Sequence, residues 1–140
     1  MNNISIVNSD NSFAIYFFNF KYNNDSDYNY FQYKLRIENA IFKVSTDTYS
    51  FADELYKFRE DLIFFLEKSF KVIYLAPLEG TWQIKLSWKD ADMISLEGEI
   101  SDVENIRSYL EFRVFLGIGD LLKTVKELGA FLALYNHKSI

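Results

Sequence analysis

The 140-residue chain contains no cysteine, and this absence excludes disulfide bonds, thiolate zinc sites and cysteine nucleophiles. One proline and five glycines are too few for a collagen-like or Pro/Gly-rich low-complexity protein. The single histidine, His137, stands close to the C-terminus, where a histidine is typical of a solvated helix end. A catalytic triad or a histidine zinc site would depend on that one residue, so we expect neither.

Long hydrophobic runs are absent as well, and no leader sequence is expected. The densest apolar stretch, Phe13–Phe18, is far shorter than the ~20 residues that span a bilayer. The first residues, Met1–Asp10, lack the basic start and the apolar segment of a signal peptide. We therefore expect a cytoplasmic protein that does not enter a membrane.

What is present has the proportions of a folded domain. Hydrophobic residues make up 49% of the chain and aromatic residues 19%, which rules out a disordered protein. This length is typical of one domain with a sizeable core, so we expect a single domain over residues 1–140. The 20 acidic and 15 basic residues give a net charge of −5, which disfavours nucleic acid as a partner and favours a basic protein.

The first fifty residues alternate between apolar and polar positions, the period of antiparallel strands. Strands are predicted around Ile4–Ile6, Phe13–Tyr22 and Phe31–Glu38, with a loop over Asn23–Asp27. The second strand is apolar on both faces, and four aromatic residues lie on its second face: Tyr16, Phe18, Phe20 and Tyr22. After Asn39 the apolar phase moves to Phe42 and Val44, so a bulge or a tight turn is expected there.

Two segments have the period of an amphipathic helix. The first is predicted over Phe51–Lys68, with Ser50 as its N-cap. Its apolar stripe consists of Phe51, Leu55, Phe58, Leu62 and Phe65 or Leu66. The second is predicted over Leu121–Tyr135 and contains Gly129. Because glycine costs a helix interior about 1 kcal/mol relative to alanine, Gly129 indicates close packing on its side of the helix.

Four strands are predicted between the two helices: Val72–Ala76, which is apolar on both faces, Trp82–Trp88, Ile94–Ser101 and Leu110–Leu116. The second and third of them form a hairpin with one apolar face if Trp88 lies opposite Ile94. The same register places Lys85 opposite Glu97. We predict an α+β domain, a mainly antiparallel sheet of about seven strands with two amphipathic helices on one face, in the order βββ(β)-α-ββββ-α.

Paired carboxylates are the remaining candidates for catalysis or metal binding. Glu97 and Glu99 share a strand face about 7 Å apart, a separation that glycosidases use. Cross-strand pairing of Glu97 with Lys85 is, however, ordinary for a solvated sheet face. Asp90 and Asp92 lack the glycine and the distant glutamate of a calcium loop and suit a turn. We therefore predict no catalytic residue, no metal site and no cofactor.

Two features favour binding to another protein. Residues 85–111 contain seven acidic and three basic residues, which account for most of the net charge. Tyrosine and phenylalanine cluster around the second strand, and surface aromatic residues favour protein interfaces. The predicted partner-binding residues are the acidic Asp90, Asp92, Glu97, Glu99, Asp102 and Glu104 and the aromatic Tyr16, Tyr22, Tyr28 and Tyr30. If another element covers the aromatic face, these tyrosines belong to the core instead.

Short motifs follow one another along nearly the whole chain: Ser12–Ile15, Asn29–Leu35, Phe51–Phe58, Leu75–Leu78 and Asp120–Leu122. In this order they resemble the WapI-type immunity proteins of bacterial contact-dependent toxin systems. The chain departs from that family at two positions. Tyr30 stands where the family tends to have tryptophan, and Ala76 replaces the acidic residue before Pro77.

The resemblance implies a cytoplasmic immunity protein without enzymatic activity. Such a protein binds the toxic C-terminal domain of a cognate polymorphic toxin, commonly a nuclease, and neutralises it by steric and electrostatic blocking. The acidic balance of the chain is compatible with this role, because nuclease clefts tend to be basic. The alternative is a small-molecule-binding α+β module with an aromatic-lined pocket beneath the second strand. In either case we expect a monomer or a weak dimer.

Overall fold

The computed structural model describes residues 3–25, 28–101 and 109–136. The first half consists of β1 (Ile4–Val7), β2 (Phe13–Asp25), β3 (Tyr28–Asn39), β4 (Lys43–Phe51) and helix α1 (Ala52–Leu66). The second half consists of β5 (Val72–Leu75), β6 (Trp82–Trp88), β7 (Met93–Ser101), β8 (Tyr109–Gly117) and helix α2 (Ile118–Asn136). The α+β class is confirmed, with eight strands in the described residues and a helix after each set of four.

The strands form two four-stranded antiparallel sheets, where a single sheet was expected. The first sheet has the order β1-β2-β3-β4 and the second β5-β6-β7-β8. Consecutive strands pair because the connections between them are direct, whereas α1 carries the chain away from β4 before β5 begins. The inner faces of both sheets and one side of each helix share one core. Within it, the ring centroids of Phe17 and Trp82 lie 5.4 Å apart and join the two sheets.

A β-bulge at Asn19 changes which residues of β2 point into the core. Pairing with β3 is regular before this residue and resumes, shifted, at Lys21. Asn19 itself has a left-handed φ of 56°. Because the extra residue reverses the alternation, Phe20 points into the core, with its ring centroid 4.3 Å from that of Phe131. The prediction of one aromatic outer face is therefore wrong for Phe20 and Tyr22, which pack against the core.

The two turns that flank β3 differ in how well the sequence predicts them. The described part of the loop expected over Asn23–Asp27 is strand, since pairing continues as far as Asp25 opposite Tyr28, and residues 26 and 27 lie outside the described residues. Ladder hydrogen bonds override the weak strand preference of Asn and Asp. At the other end the expected tight turn is confirmed, because Asn39 Oδ1 accepts the backbone N–H of Phe42 at 2.9 Å.

Helix α1 buries the predicted stripe. Its buried residues are Leu55, Phe58, Leu62 and Phe65. The N-cap is Phe51 and not Ser50, because Ser50 belongs to β4 and is buried with its hydroxyl 2.5 Å from that of Tyr33. The Glu54 carboxylate accepts the N–H of Phe51 and, from the loop before β6, that of Leu78, both at 2.9 Å. One glutamate thus caps α1 and ties it to the second half of the chain.

Helix α2 covers the free edge of β1. The Glu127 carboxylate accepts the backbone N–H and the hydroxyl of Ser5, and the Thr124 hydroxyl donates to the Ser5 carbonyl at 2.6 Å. These bonds occupy backbone groups that an edge strand otherwise exposes.

The close packing expected at Gly129 is confirmed, since a Cβ there would stand 2.8 Å from Arg59 Nε of α1.

The β6–β7 hairpin has the predicted register, with Trp88 opposite Ile94. On the inner face of the next pair, Gly98 of β7 lies opposite Phe112 of β8. The phenylalanine ring extends across the glycine, so a side chain at position 98 would meet it.

We expect Gly98→Ala to destabilise the domain by about 1–3 kcal/mol. The new Cβ would stand 2.7 Å from Phe112 Cε2 and 3.0 Å from the carbonyl oxygen of Gln83. The ring would have to leave its position against Phe13, 5.4 Å away between centroids. Urea unfolding of Gly98→Ala, Phe112→Leu and the double variant measures the effect. Because leucine removes the obstructing ring atoms, the double variant should lose less than the two single losses combined; additive losses would contradict this account.

Candidate functional site

The structure separates the predicted partner-binding residues into two groups. Glu97 and Glu99 lie on the outer face of the second sheet, and Asp90 and Asp92 lie in the adjoining β6–β7 turn. The tyrosines belong to the first sheet, so the two groups do not form one surface. Asp102, Glu104 and His137 lie outside the described residues, as does the side chain of Tyr28.

The predicted tyrosines whose side chains the structure describes are engaged in packing within the chain. Tyr22 lies against the core, with its ring centroid 5.5 Å from that of Tyr135. Tyr16 is half-buried on the outer face of the first sheet, where the guanidinium carbon of Arg36 lies 5.0 Å from its ring centroid. Tyr30 is half-buried as well, against a tyrosine of β4. These contacts leave the acidic group as the better candidate for binding.

The outer face of the second sheet is an open surface built from three cross-strand rows. The Phe115 row contains Val72, Ser87, Ser95 and Phe115. The Arg113 row contains Tyr74, Lys85, Glu97 and Arg113, and the Glu111 row contains Gln83, Glu99 and Glu111. A groove of about 510 Å³ runs along the Arg113 and Glu111 rows.

One end of this face is apolar. Phe115 is 46% exposed, and Val72 and the neighbouring Met93 are exposed to a similar extent. Tyr74, next to Val72 on the edge strand β5, is 56% exposed. Phe115 and Met93 lie on the adjacent strands β8 and β7, whereas Val72 and Tyr74 lie on β5 at the opposite edge. Exposed aromatic and methionine side chains on one sheet face are typical of protein-binding surfaces.

The other end of the face is acidic. Arg113 Nη2 lies 2.6 Å from Glu97 Oε1, so the ion pair of Glu97 forms with β8, although Lys85 lies opposite Glu97 as predicted. In the next row, the register places Glu99 directly opposite Glu111. Two carboxylates at opposed positions concentrate negative charge in this row.

The two aspartates of the β6–β7 turn have different roles. Asp90 Oδ1 accepts the backbone N–H of Asp92 and of Met93, both at 2.9 Å, and so holds the turn. The expectation that a turn aspartate stabilises this loop is confirmed for Asp90. The side chain of Asp92 is exposed and adds negative charge beside the Phe115 row.

The sequence did not reveal the contributions of β5 and β8 to this face. The segment Val72–Ala76 is apolar on both faces, and in the edge strand β5 Ile73 is buried while Tyr74 is exposed. Apolar residues on both faces of this segment were the sequence signal that one apolar side of β5 would be exposed. Arg113 alternates with apolar neighbours in β8. The sequence between β7 and β8 does not indicate which residues of β7 lie opposite Arg113.

The described residues contain no group of three or more side chains that could hold a metal ion. Among the described helices, none is long and apolar enough to cross a membrane.

Comparison with known proteins identifies no family. No family model matches the chain, and no curated protein matches its sequence. One solved structure, described as crystal structures of trypanosoma bruciei MRP1/MRP2, is similar over 97% of this chain and 84% of that chain, with a TM-score of 0.47 and 10% sequence identity.

Proposed function

We propose that the protein is a cytoplasmic bacterial immunity protein that binds and neutralises the toxic C-terminal domain of a cognate polymorphic toxin. The contact surface is the outer face of the second sheet. The observation that carries this proposal is the combination, on one open sheet face, of exposed apolar side chains at the Phe115 row and opposed carboxylates at the Glu111 row.

The apolar end of the face supports tight binding. Burial of apolar surface contributes roughly 25 cal/mol per Å², and tyrosine and arginine are enriched among residues that dominate binding energy. Tyr74 and Arg113 stand at opposite ends of one row, and the Arg113 side chain is 67% exposed. A partner seated between them would bury both.

The acidic end supports selection of a basic partner. Glu99 and Glu111 concentrate negative charge here, and Asp92 adds a further negative charge beside the Phe115 row, in a chain whose net charge is −5. A nuclease toxin needs a basic cleft to hold its polyanionic substrate. An acidic surface that covers such a cleft blocks it sterically and electrostatically, with no catalytic step.

The small-molecule alternative has less support. The space beneath β2 is lined by residues that include Phe17, Phe20 and Trp82, and it measures about 30 Å³. Ligand pockets usually measure about 300–1,000 Å³, so this space would hold roughly one water molecule. The aromatic side chains that suggested a pocket fill it themselves.

We expect the cognate toxin to be a large secreted protein encoded beside this one, and the test is the association of this protein with the C-terminal domain of that toxin. We expect Asp92→Lys/Glu99→Lys to lower the association rate constant about tenfold or more at low salt and to flatten its salt dependence between about 50 and 500 mM, measured by surface plasmon resonance. Neither position belongs to the core, and lysine at position 99 would face Glu111, so the fold should be kept.

The control is Glu60→Lys/Glu67→Lys, which makes the same change in net charge at exposed positions of α1 and its C-cap. It should lower the rate clearly less. Equal losses in both variants would show that net charge, and not this face, steers the partner. Absence of binding by the wild type would contradict the proposed function, and a small ligand that copurifies with the protein would favour the alternative.

A further inference from the structure

We propose that the outer edge of β8 binds β8 of a second copy of this chain. The two strands pair antiparallel around Phe112, so that two second sheets join into one eight-stranded sheet. This inference does not depend on the toxin, since it rests on the backbone edge of β8, although Glu111 and Arg113 of that strand also belong to the face assigned to that partner.

The four edge strands differ in how well they are protected. The edge of β1 is occupied by α2 through Ser5, and β5 has only four residues. Strand β4 also has nine residues, but its inward face is largely polar, with the Thr48 hydroxyl donating to Glu79 at 2.6 Å, so it offers little apolar surface to an added strand. Strand β8 has nine residues, and within the described ranges no strand pairs with its outer side. A long edge strand without such protection is a template for another strand.

The inner face of β8 is incompletely buried. On the neighbouring β7, Ile94 and Leu96 are fully buried. On β8, Leu110, Phe112 and Val114 pack against the same core but are only half-buried. An added strand would continue the inner face and remove this apolar surface from water, which is favourable.

The sequence of β8 is complementary to itself in one register. With Phe112 at the two-fold axis, Glu111 lies opposite Arg113 of the second copy, and Leu110 lies opposite Val114 of the second copy. Two-fold symmetry repeats each pair, which gives two opposite-charge pairs on the outer face and two apolar pairs on the inner face. A two-fold axis at Arg113 would place arginine opposite arginine, and an axis at Glu111 would place glutamate opposite glutamate. The charges therefore favour the register centred on Phe112 over these two neighbouring registers.

The ion pair between Arg113 and Glu97 within each chain is compatible with this pairing of two β8 strands. Arg113 contacts Glu97 through Nη2, and its side chain remains 67% exposed. A guanidinium has five N–H donors, so it can bind a second carboxylate from Glu111 of the second copy.

Sedimentation velocity across micromolar to several hundred micromolar protein tests the proposal. We expect the wild type to move from 16.6 kDa toward twice that mass as concentration rises. Glu111→Arg and Arg113→Glu should each remain at the monomer mass, because each places like charges opposite one another twice. Lys43→Glu, on the β4 edge, is the control and should behave like the wild type.

Mixing the two single variants is the decisive measurement. In a mixed pair, two arginines of one copy face two glutamates of the other, so an equimolar mixture should regain the dimer mass. The charge swap Glu111→Arg/Arg113→Glu should regain it as well. Thermal unfolding shows whether each variant is folded. If Arg113→Glu does not fold, the masses of Glu111→Arg and of the charge swap still test the proposal. A wild type that stays monomeric, single variants that dimerise like the wild type, or a mixture and a charge swap that stay monomeric would each overturn the proposal.

Discussion

Replacing Leu62 with aspartate is expected to unfold the domain or to destabilise it by at least about 3 kcal/mol. Leu62 is 1% exposed and lies in the middle of the buried stripe of α1. The core around it is apolar and includes Phe58 and Trp82, so a carboxylate there would be buried without a partner. This loss is a large share of the ~5–15 kcal/mol that stabilises a typical domain.

The matched control is Phe64→Asp, which makes a similar change on the other side of the same helix. Phe64 is 38% exposed, so its variant should stay within about 1 kcal/mol of the wild type. Circular dichroism with thermal and urea unfolding distinguishes the two variants. If Leu62→Asp melted within a few degrees of the wild type, the assigned facing of α1 would be wrong.

Deletion of Asn19 is expected to cost on the order of 3–5 kcal/mol, because it removes the extra residue that turns Phe20 and Tyr22 into the core. Without the bulge, unbroken alternation would place both rings on the outer face. Phe20 would lose its contacts with Phe131 and with Tyr33, whose ring centroids lie 4.3 Å and 4.9 Å away.

Asn19→Gly is the control for this deletion. It keeps the number of residues in β2, and glycine suits the φ of 56° at least as well as asparagine does. Its unfolding free energy should lie within about 1 kcal/mol of the wild-type value. Urea unfolding followed by tryptophan fluorescence compares the variants. A deletion variant as stable as Asn19→Gly would show that the bulge does not decide the facing of β2.

Part of the candidate site could be predicted from the sequence and part could not. Glu97 and Glu99 were placed on the solvent side of β7, because strict alternation in a hairpin assigns each residue to a face. Phe115 and Tyr74 were not recognised, since their exposure depends on where β5 and β8 stand in the sheet. Strand order results from contacts between distant segments and is not encoded in a local period.

The sequence by itself determined the local elements of this protein. The stripe of α1, the register Trp88–Ile94 and the turn at Asn39 depend on residues close together in the chain, so spacing and turn chemistry suffice to predict them. Only the tertiary structure decided the division into two sheets, the bulge at Asn19 and the choice of Arg113 as the ion-pair partner of Glu97. The physical reason is that an apolar or charged strand face is stabilised by whichever distant element packs or pairs beside it. That neighbour exists only once the chain has folded.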